Sequence, residues 1–334
     1  MKLAVPFLQI PLRFDASVLA AEVLALGEEP WRPHPQGYAG NTALTLITTH
    51  GDPTSDALGG AMRATPYLER CPYLMQVLAS FGATLGRTRL MRLSGQAEVS
   101  QHVDIAYYWR EHVRVHVPIL TQPTVRFYCG DADLHMAAGE CWIFDTWRMH
   151  KVVNDHELAR IHLVVDTVGG TGFWQLLEAA RGAGDVIEGW EPKAVMPNGA
   201  GAPALDFEAV NIPTVMTPWE LREHLAFLLG EAKPDAALSD VRRACDAFTH
   251  KWQALWACFG EARTGWPRYR GLLNEFGAYV DRLPPLRLEN GVILANAIKA
   301  IALKNALADG MAPPVMAMRG PHRPPVQVAW SGRN

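Results

Sequence analysis

His102 and Asp104 stand two residues apart in the sequence HVD, and His150 follows at the end of GECWIFDTWRMH. On a β-strand, side chains two residues apart point to the same face, so His102 and Asp104 can reach one metal ion together. A turn at Gly139 leads into an apolar strand that ends near His150, which allows this third side chain to join them. The pattern predicts a metal site with two imidazole ligands and one carboxylate ligand.

This ligand set has a known chemistry. Two histidine nitrogens and one carboxylate on one face of an octahedron bind Fe(II) in non-haem oxygenases, and three positions stay open for other ligands. The chain also contains His50 and Asp52, in the segment HGDPTSD. Because that segment is typical of a turn and not of a strand, we expect the set with His102 to bind the metal.

Arg160 follows His150 by ten residues and opens the strand-like run ARIHLVVD. Alternation places Arg160 and His162 on one face of that strand. An arginine near a metal can bind a carboxylate of a dicarboxylic acid through two parallel hydrogen bonds. The alternative is a salt bridge with Asp155 or Glu157. In the alternative set, His50 and Asp52 would pair with His102 as the third ligand. The residue ten positions after His102 is His112 and not an arginine.

A second strand-like run, VRVHVPIL, places Arg114 and His116 on one face, and Val113, Val115 and Val117 on the other. Such a strand fits a barrel whose interior is a polar site, whereas the alternative is a solvent-exposed face. Short β-rich runs separated by turns extend from about Thr88 to Asp166, which predicts a sandwich or barrel.

Helices are expected on both sides of this β-rich part. Asp15 caps a helix through about Glu28, and Thr65 and Pro66 begin a helical region that breaks at Pro72 and ends near Phe81. After the Pro- and Gly-rich stretch 190–216, which is a linker or an irregular crossing, four helices follow: one from Pro218, then Leu238 to Phe259, Pro267 to Leu283, and Leu288 to Ala308 with a stop at Gly310.

Composition excludes several classes of protein. The 334 residues are 49% hydrophobic and 19% charged, and the net charge is -3, which gives no electrostatic footprint for nucleic acid or an anionic membrane. No apolar run reaches about 18 residues, so no membrane span is expected. The first residues favour a strand over a signal peptide. Five cysteines without CxxC spacing suit buried thiols in a reducing cytoplasm.

The segments HVD, RVHVPI, GECWIFDTWRMHKVVN and ARIHLVVD resemble the aspartyl/asparaginyl β-hydroxylase family of Fe(II)/2-oxoglutarate-dependent oxygenases, which includes the bacterial L-proline cis-hydroxylases. The resemblance is specific from about Leu90 to Asp166. It implies a mainly β fold with helices, built on a double-stranded β-helix (jelly-roll) core. It also implies Fe(II), 2-oxoglutarate and O2, with iron ligands His102, Asp104 and His150, with Arg160 on the co-substrate carboxylate, and with Arg114 and His116 lining its pocket.

Two departures from the family pattern matter. Some animal members carry Gly where this chain keeps Asp104 as a ligand. A serine that helps to hold 2-oxoglutarate in the animal enzymes falls near Met91 here, or else at Ser94 or Ser100. The second contact to the co-substrate is therefore open. His162 and Asn154 are expected to support the site or the fold and not to react.

We expect three parts: residues 1–205 as the jelly-roll oxygenase domain with N-terminal helices, 206–310 as a C-terminal helical segment packed on the barrel or on a second subunit, and 311–334 as a Pro-rich tail. The helical segment is expected to pack on another surface because its aromatic residues give more apolar surface than a separate helical bundle of this size usually buries. Homodimers are a possible assembly, and neither nucleic acid nor a membrane is an expected partner.

The expected reaction is hydroxylation of an unactivated C–H of an amino acid that is free, within a peptide or carrier-bound. A non-catalytic protein that binds metal and dicarboxylate, or an oxygenase with another outcome such as desaturation, stays open. The segment IAYYWREH and the pair before His150 could grip this substrate, although exposed-loop and packing roles are the alternative; these residues are Tyr107, Tyr108, Trp109, Arg110, Trp147 and Arg148.

Overall fold

The computed structural model describes residues 2–35, 37–199, 201–308 and 318–319. The strands are β1 Phe7–Phe14, β2 Arg32–Pro33, β3 Asn41–Thr49, β4 Met62–Ala64, β5 Thr84–Leu93, β6 Ala97–Val103, β7 Val113–Leu120, β8 Val125–Cys129, β9 Ala132–Leu134, β10 Glu140–Phe144, β11 His150–Asn154, β12 Arg160–Gly169, β13 Arg181–Gly182, β14 Lys193–Val195 and β15 Met318–Arg319. The helices are α1 Ala16–Ala25, α2 Pro66–Glu69, α3 Pro72–Ser80, α4 Tyr107–Glu111, α5 Thr171–Glu178, α6 Pro218–Gly230, α7 Leu238–Phe259, α8 Trp266–Val280 and α9 Leu294–Ala297.

Two largely antiparallel sheets face each other. The larger sheet has the strand order β13-β1-β10-β7-β12-β5-β3-β2, with β14 beside β1 and β4 beside β3, and the smaller sheet has the order β15-β6-β11-β8-β9. Apolar side chains from both sheets form one buried cluster between them, for example Leu93 and Phe144 from the larger sheet and Phe127 and Val152 from the smaller one. The predicted fold class, a double-stranded β-helix core with flanking helices, is confirmed.

The outer face of the larger sheet packs on the N-terminal helices. Val115 of β7 and Leu163 of β12 share a buried cluster with Leu19 of α1, Leu74 of α3 and Phe173 of α5. Because side chains alternate along a strand, the polar residues between these apolar positions point inward, toward the smaller sheet. The apolar residues that are buried against the helices thus determine which residues of the same strands line the inside of the barrel.

Helix α1 begins at the predicted cap, where the Asp15 carboxylate accepts hydrogen bonds from the backbone N–H groups of Ser17 and Val18. It ends at Ala25, earlier than expected, and Leu24 is exposed. Thr65 does not cap α2 with its side chain, because its hydroxyl donates to the carbonyl oxygen of Thr45 at 2.9 Å.

The C-terminal helices form a second core that includes residues beside the predicted metal motif. Val103, Ile105 and Trp147 share a buried cluster with Leu221 of α6 and Trp252 of α7. The segment is thus packed on the barrel in this structure. Of the aromatic residues of this segment, Trp252 is buried in the same core, whereas Trp219 is 69% exposed.

The helix expected from Leu288 to Ala308 is wrong at its start. Residues 288–293 form a tight turn at Asn290-Gly291, where Gly291 has φ 84° and the Leu288 N–H donates to the Val292 carbonyl oxygen at 2.8 Å. An Asn-Gly pair favours such a turn over a helix. Helix α9 begins at Leu294 and continues as a π-helical turn over Ile298–Leu303. The predicted stop at Gly310 lies outside the described residues.

The stretch 190–216 is an irregular crossing that contacts the barrel. The backbone of Leu85 on β5 bonds to Asp206 and Glu208, at 2.8 and 3.0 Å. The division at 205/206 stays a prediction. Of the predicted Pro-rich tail at 311–334, only β15 lies within the described residues, and it pairs with β6 at His102 and Val103.

None of the helices in the described part of the chain combines the length and the apolar character needed to cross a bilayer. All five cysteines are free thiols. Four of them are buried as expected, whereas Cys258 is exposed.

Candidate active site

His102, Asp104 and His150 meet at one end of the smaller sheet. His102 on β6 pairs in register with His150, the first residue of β11, and Asp104 follows directly after β6. All three residues are buried, and one ligand atom from each lies within 4.8 Å of the others. The alternative pair, His50 and Asp52, lies in a turn after β3, where His50 has φ 58° and Asp52 accepts from Thr54.

Backbone carbonyls orient both imidazoles. Nδ1 of His102 lies 2.8 Å from the Ser100 carbonyl oxygen, and Nδ1 of His150 lies 2.9 Å from that of Arg148. Because a carbonyl oxygen can only accept, each Nδ1 carries the hydrogen, and Nε2 keeps the lone pair that a metal needs. Nε2 of His102 lies 3.8 Å from Oδ1 of Asp104.

Asp104 is held as a carboxylate by Arg114. Burial alone would raise the pKa of Asp104, but Arg114 and the two histidines lower it to about 2. Nη1 of Arg114 donates to Oδ2 of Asp104 at 2.8 Å, and Nε donates to Oδ1 of Asp166 at 3.0 Å. Arg114 therefore positions a candidate metal ligand, and its predicted contact with the co-substrate stays a prediction.

Burial also keeps His150 neutral, because it lowers the pKa of this imidazole to about 3, with His102 adding to the effect. A neutral imidazole and an ionised carboxylate are the forms in which these side chains bind metals. The donor set therefore fits a divalent cation such as Fe(II).

A second group of polar residues lies deeper in the barrel without partners. Nε and Nη1 of Arg160, and both ring nitrogens of His116 and of His162, are buried and have no hydrogen-bond partner among the described residues. Arg160 is only 4% exposed, and burial lowers its pKa to about 9. Its expected alternative partners, Asp155 and Glu157, make no recorded salt bridge with it in the described part of the chain.

Apolar walls surround these groups. The His162 ring stacks on Phe127 with centroids 5.3 Å apart, and the Arg160 guanidinium lies over the same ring at 5.3 Å. Burial, followed by the nearby arginines, lowers the pKa of His116 and of His162 well below the ordinary value. Unpaired buried polar groups cost free energy, and an anionic ligand that accepts hydrogen bonds would offset that cost at Arg160.

The sequence pattern predicts a supporting role for His162 and does not single out Thr121. The buried Thr121 hydroxyl also has no partner among the described residues. Because Ile161 pairs with Leu120, Thr121 lies at the same end of the barrel as Arg160. Of the positions considered for the family serine, Met91 pairs in register with His162, and Ser100 supplies the carbonyl that orients His102.

The segment after Asp104 is a short buried helix, α4, and the expected exposed-loop alternative is wrong. The Tyr107 hydroxyl donates to Oε1 of Glu220 at 2.7 Å, and the Tyr108 hydroxyl accepts from the backbone N–H of Arg87 at 3.1 Å. The Arg110 guanidinium lies over Phe227 at 4.1 Å. These contacts tie α4 to the C-terminal helices and to β5.

The two residues before His150 also have structural contacts. Nε1 of Trp147 donates to Oε2 of Glu231 at 2.9 Å, and Nε of Arg148 donates to Oδ2 of Asp145 at 3.0 Å. The Trp147 ring packs on Phe227 with centroids 5.0 Å apart. These contacts link the segment that precedes His150 to the helical core.

Comparisons with known proteins agree with this geometry in one segment of the chain. Residues 40–169 match the family model described as aspartyl/asparaginyl beta-hydroxylase. L-proline cis-3-hydroxylase 1 from Streptomyces sp. is 31% identical over 116 residues, which are 33% of this chain and 40% of that enzyme. The chain thus spans less than half the length of this curated relative.

Solved structures show a more limited likeness. A prolyl-4-hydroxylase from Pseudomonas putida is 16% identical, with a TM-score of 0.34 over 49% of this chain and 92% of that one. HygX from Streptomyces hygroscopicus, solved with nickel, 2-oxoglutarate and hygromycin B, is 12% identical, with a TM-score of 0.33 over 50% and 84% of the two chains.

The matched segment contains the three candidate metal ligands and Arg160, so the family comparison and the geometry concern the same part of the molecule. Residues 40–169 are therefore similar to the aspartyl/asparaginyl β-hydroxylase family in the segment that holds the candidate site.

Proposed function

We propose that the protein is an Fe(II)- and 2-oxoglutarate-dependent dioxygenase that hydroxylates an unactivated C–H of an amino acid. The observation that carries the proposal is the buried Arg160, of which Nε and Nη1 have no hydrogen-bond partner among the described residues, in the same barrel as a buried His-Asp-His cluster. A protein that only binds metal needs no such clamp for a dicarboxylate. The family of residues 40–169 supports the same conclusion.

In this proposal, Nε2 of His102, Nε2 of His150 and a carboxylate oxygen of Asp104 hold the iron. Arg160 holds the distal carboxylate of 2-oxoglutarate, and His116 and His162 donate or accept hydrogen bonds along the same wall. The iron with 2-oxoglutarate and O2 supplies the oxidising chemistry, in which the co-substrate is converted to succinate and CO2.

The rest of the chain sets geometry and excludes water. The carbonyl groups of Ser100 and Arg148 fix the imidazole tautomers, and Arg114 keeps Asp104 ionised and oriented. Phe127 and Phe144 line the space between the sheets with apolar surface, which strengthens the electrostatic contacts inside it. Metal ligands that are held in place and an apolar lining orient the reactants and keep water away from them.

An amino-acid substrate is proposed from the 31% identical L-proline cis-3-hydroxylase 1. A non-catalytic binding protein and an oxygenase with another outcome, such as desaturation, remain as alternatives. Succinate release from 2-oxoglutarate, screened across the L-amino acids and short peptides, tests the proposal. Product mass then separates the outcomes, because hydroxylation adds one oxygen atom and desaturation removes two hydrogen atoms. Failure of every acceptor, with no succinate above the metal-free control, would favour the binding protein.

The cytoplasmic location and the possible homodimer stay predictions. A small-molecule substrate agrees with the proposed reaction.

A further inference from the structure

His224 of α6 is a buried imidazole outside the candidate active site. It is 2% exposed, and neither of its ring nitrogens has a hydrogen-bond partner among the described residues. Its ring meets the ring of Tyr107 on α4 edge-on, with centroids 5.5 Å apart. Because an unpaired polar group inside a core costs free energy, the state of His224 that stabilises the fold is one in which its nitrogens reach acceptors.

Two carboxylates flank this ring, one at each nitrogen. Nδ1 lies 3.9 Å from Oε1 of Glu111 at the end of α4, and Nε2 lies 3.9 Å from Oε1 of Glu220, one helical turn earlier in α6. A shift of about 1 Å would turn each contact into a hydrogen bond. The Glu111 side chain is 42% exposed, so it can approach the ring without repacking the core.

A neutral imidazole can donate to only one of these carboxylates, because it carries a single N–H, whereas the protonated ring carries two. Burial raises the pKa of Glu220, but the neighbouring His224 and the Tyr107 hydroxyl, which donates to Oε1 at 2.7 Å, lower it below the usual value. Glu220 is therefore an ionised acceptor at neutral pH. The group lacks only the second proton of His224.

The charges next to His224 also favour that proton. Arg110 of α4 lies over the ring of Phe227, one turn after His224, with its guanidinium 4.1 Å from the centroid. One guanidinium thus stands beside the two carboxylates of Glu111 and Glu220. Uptake of a proton by His224 brings this group of four side chains to neutrality.

The other charged groups on the surrounding described elements have partners or face solvent. Glu208 of the crossing segment acts on Tyr107 but pairs with His112, and Lys299 of the π-helical turn pairs with Asp281. The exposed charged groups on α6, on the part of α7 beside it and after the π-helical turn are Arg222, Glu223, Arg242, Asp246 and Lys304.

Helix α4 connects this group to the candidate metal site. It follows Asp104 closely in the chain and carries Trp109. The guanidinium of Arg114 lies over the Trp109 ring at 4.0 Å, and Arg114 donates to Asp104. Firm docking of α4 on α6 therefore holds the wall against which Arg114 is packed.

We propose that His224, Glu111 and Glu220 form a pH-dependent latch between the C-terminal helices and α4. The protonated ring donates from Nδ1 to Glu111 and from Nε2 to Glu220, and so fixes α4 against α6. The neutral ring releases one of the two carboxylates. Histidine takes up its second proton from water between about pH 8 and pH 5, so the latch closes as the pH falls. His224 is a positioning residue, and the proposed reaction does not require it.

Thermal unfolding of the full chain without metal, at pH 5.5 and pH 8.5, is the first test. The variant is His224→Gln, because glutamine stays neutral and keeps an amide donor at both pH values. We expect the wild type to melt about 2–6 °C above the variant at pH 5.5, where a charge-assisted hydrogen bond is lost, and within about 1 °C of it at pH 8.5. His250→Gln, which changes an exposed histidine of α7, should match the wild type at both. An equal difference at the two pH values overturns the latch.

Amide hydrogen exchange of α4 detects the docking itself. The backbone N–H groups of Arg110 and His112 donate to the carbonyl oxygens of Ala106 and Tyr108. After correction for the intrinsic effect of pH on exchange, we expect their protection in the wild type to fall about tenfold from pH 5.5 to pH 8.5. In His224→Gln, protection should be low at both. A folded variant that keeps the wild-type protection at pH 5.5 contradicts the proposal.

Glu111→Gln is the second variant, since it removes one charged acceptor from a partly exposed position and leaves the core intact. We expect it to melt about 1–3 °C below the wild type at pH 5.5 and together with the wild type at pH 8.5. Glu223→Gln, on the exposed side of α6, is its control and should show no difference. A Glu111→Gln protein with wild-type Tm at pH 5.5 overturns the proposal. These measurements use neither iron nor an acceptor, so their failure refutes the latch and leaves the proposed function standing.

Discussion

Replacing Arg160 by Met tests the co-substrate clamp through affinity and stability together. The guanidinium is 4% exposed, and two of its nitrogens have no partner in the described part of the chain. A pair of parallel hydrogen bonds from this buried guanidinium to a carboxylate is worth about 2–4 kcal/mol. Since each 1.36 kcal/mol is a factor of about ten, we expect the apparent Kd for 2-oxoglutarate to rise about 30- to 1000-fold.

The stability of the ligand-free variant should move in the opposite direction. The pKa of Arg160 is lowered by burial from its ordinary value of 12.5 to about 9. Protonation therefore opposes folding, and the full penalty is present at any pH below about 9 and fades as the pH rises toward the unfolded value. Met removes this penalty, so Arg160→Met should melt at or above the wild-type temperature.

The assay is thermal unfolding without O2, with Fe(II) present, over a range of 2-oxoglutarate concentrations. At 100 times its Kd, the co-substrate stabilises the wild type by about 2.7 kcal/mol. At the same concentration, a variant with a hundredfold weaker Kd gains only about 0.4 kcal/mol. Arg126→Met is the control, because Arg126 is only half-buried and pairs with Asp133. Full stabilisation of Arg160→Met by 2-oxoglutarate would refute the clamp and make Arg114 the next candidate.

Three further predictions concern other parts of the molecule. Thr121→Val should raise the Kd for 2-oxoglutarate about 10- to 150-fold without lowering Tm, if its hydroxyl donates a hydrogen bond to the co-substrate carboxylate beside Arg160; an unchanged Kd in the same titration would show that Thr121 does not contact the co-substrate. Glu208→Ala should lower the free energy of unfolding by about 1–3 kcal/mol in denaturant titration, since it removes the buried hydrogen bond between Nε2 of His112 and Oε1 of Glu208, which are 2.5 Å apart; a loss below about 0.5 kcal/mol would show that this contact is dispensable. Truncation before Thr217 should give an insoluble protein or a lower Tm, because it exposes Val103, Ile105 and Trp147, and a soluble monomer with unchanged Tm would show that the helices are an independent module.

The sequence predicted side-chain directions best in strands where apolar residues alternate with polar ones and one face is buried. In β7 and β12, valine, isoleucine and leucine occupy every second position and pack on the N-terminal helices. This pattern predicts that Arg114, His116, Arg160 and His162 lie on the opposite, inward face of their strands. Turn chemistry likewise separated His50 from the strand residue His102, because Gly51 and Pro53 follow His50 directly.

The pairing of charged residues from different strands could not be predicted from these local patterns. The partner of Arg114 is Asp104, and their approach depends on how β6 meets β7 across the barrel. Arg87 and Arg89 of β5 alternate with Gly86 and Thr88, a local pattern that places both arginines on one face of the strand. The aromatic segment at Tyr107 was ambiguous, because its partner Glu220 is 113 residues away in the chain. The pair Asn290-Gly291 favours a turn, but the apolar residues around it are spaced as in a helix, so the sequence predicted a helix there.

The most direct test of the central claim is the visible spectrum of the protein with Fe(II) and 2-oxoglutarate in the absence of O2. We expect a weak metal-to-ligand charge-transfer band in the wild type and in His50→Ala, because both keep His102, Asp104, His150 and Arg160. The band should be absent in His150→Ala, which loses one of three protein ligands while keeping a folded barrel. A wild-type protein without the band, or a His150→Ala protein that keeps it, would contradict the assignment.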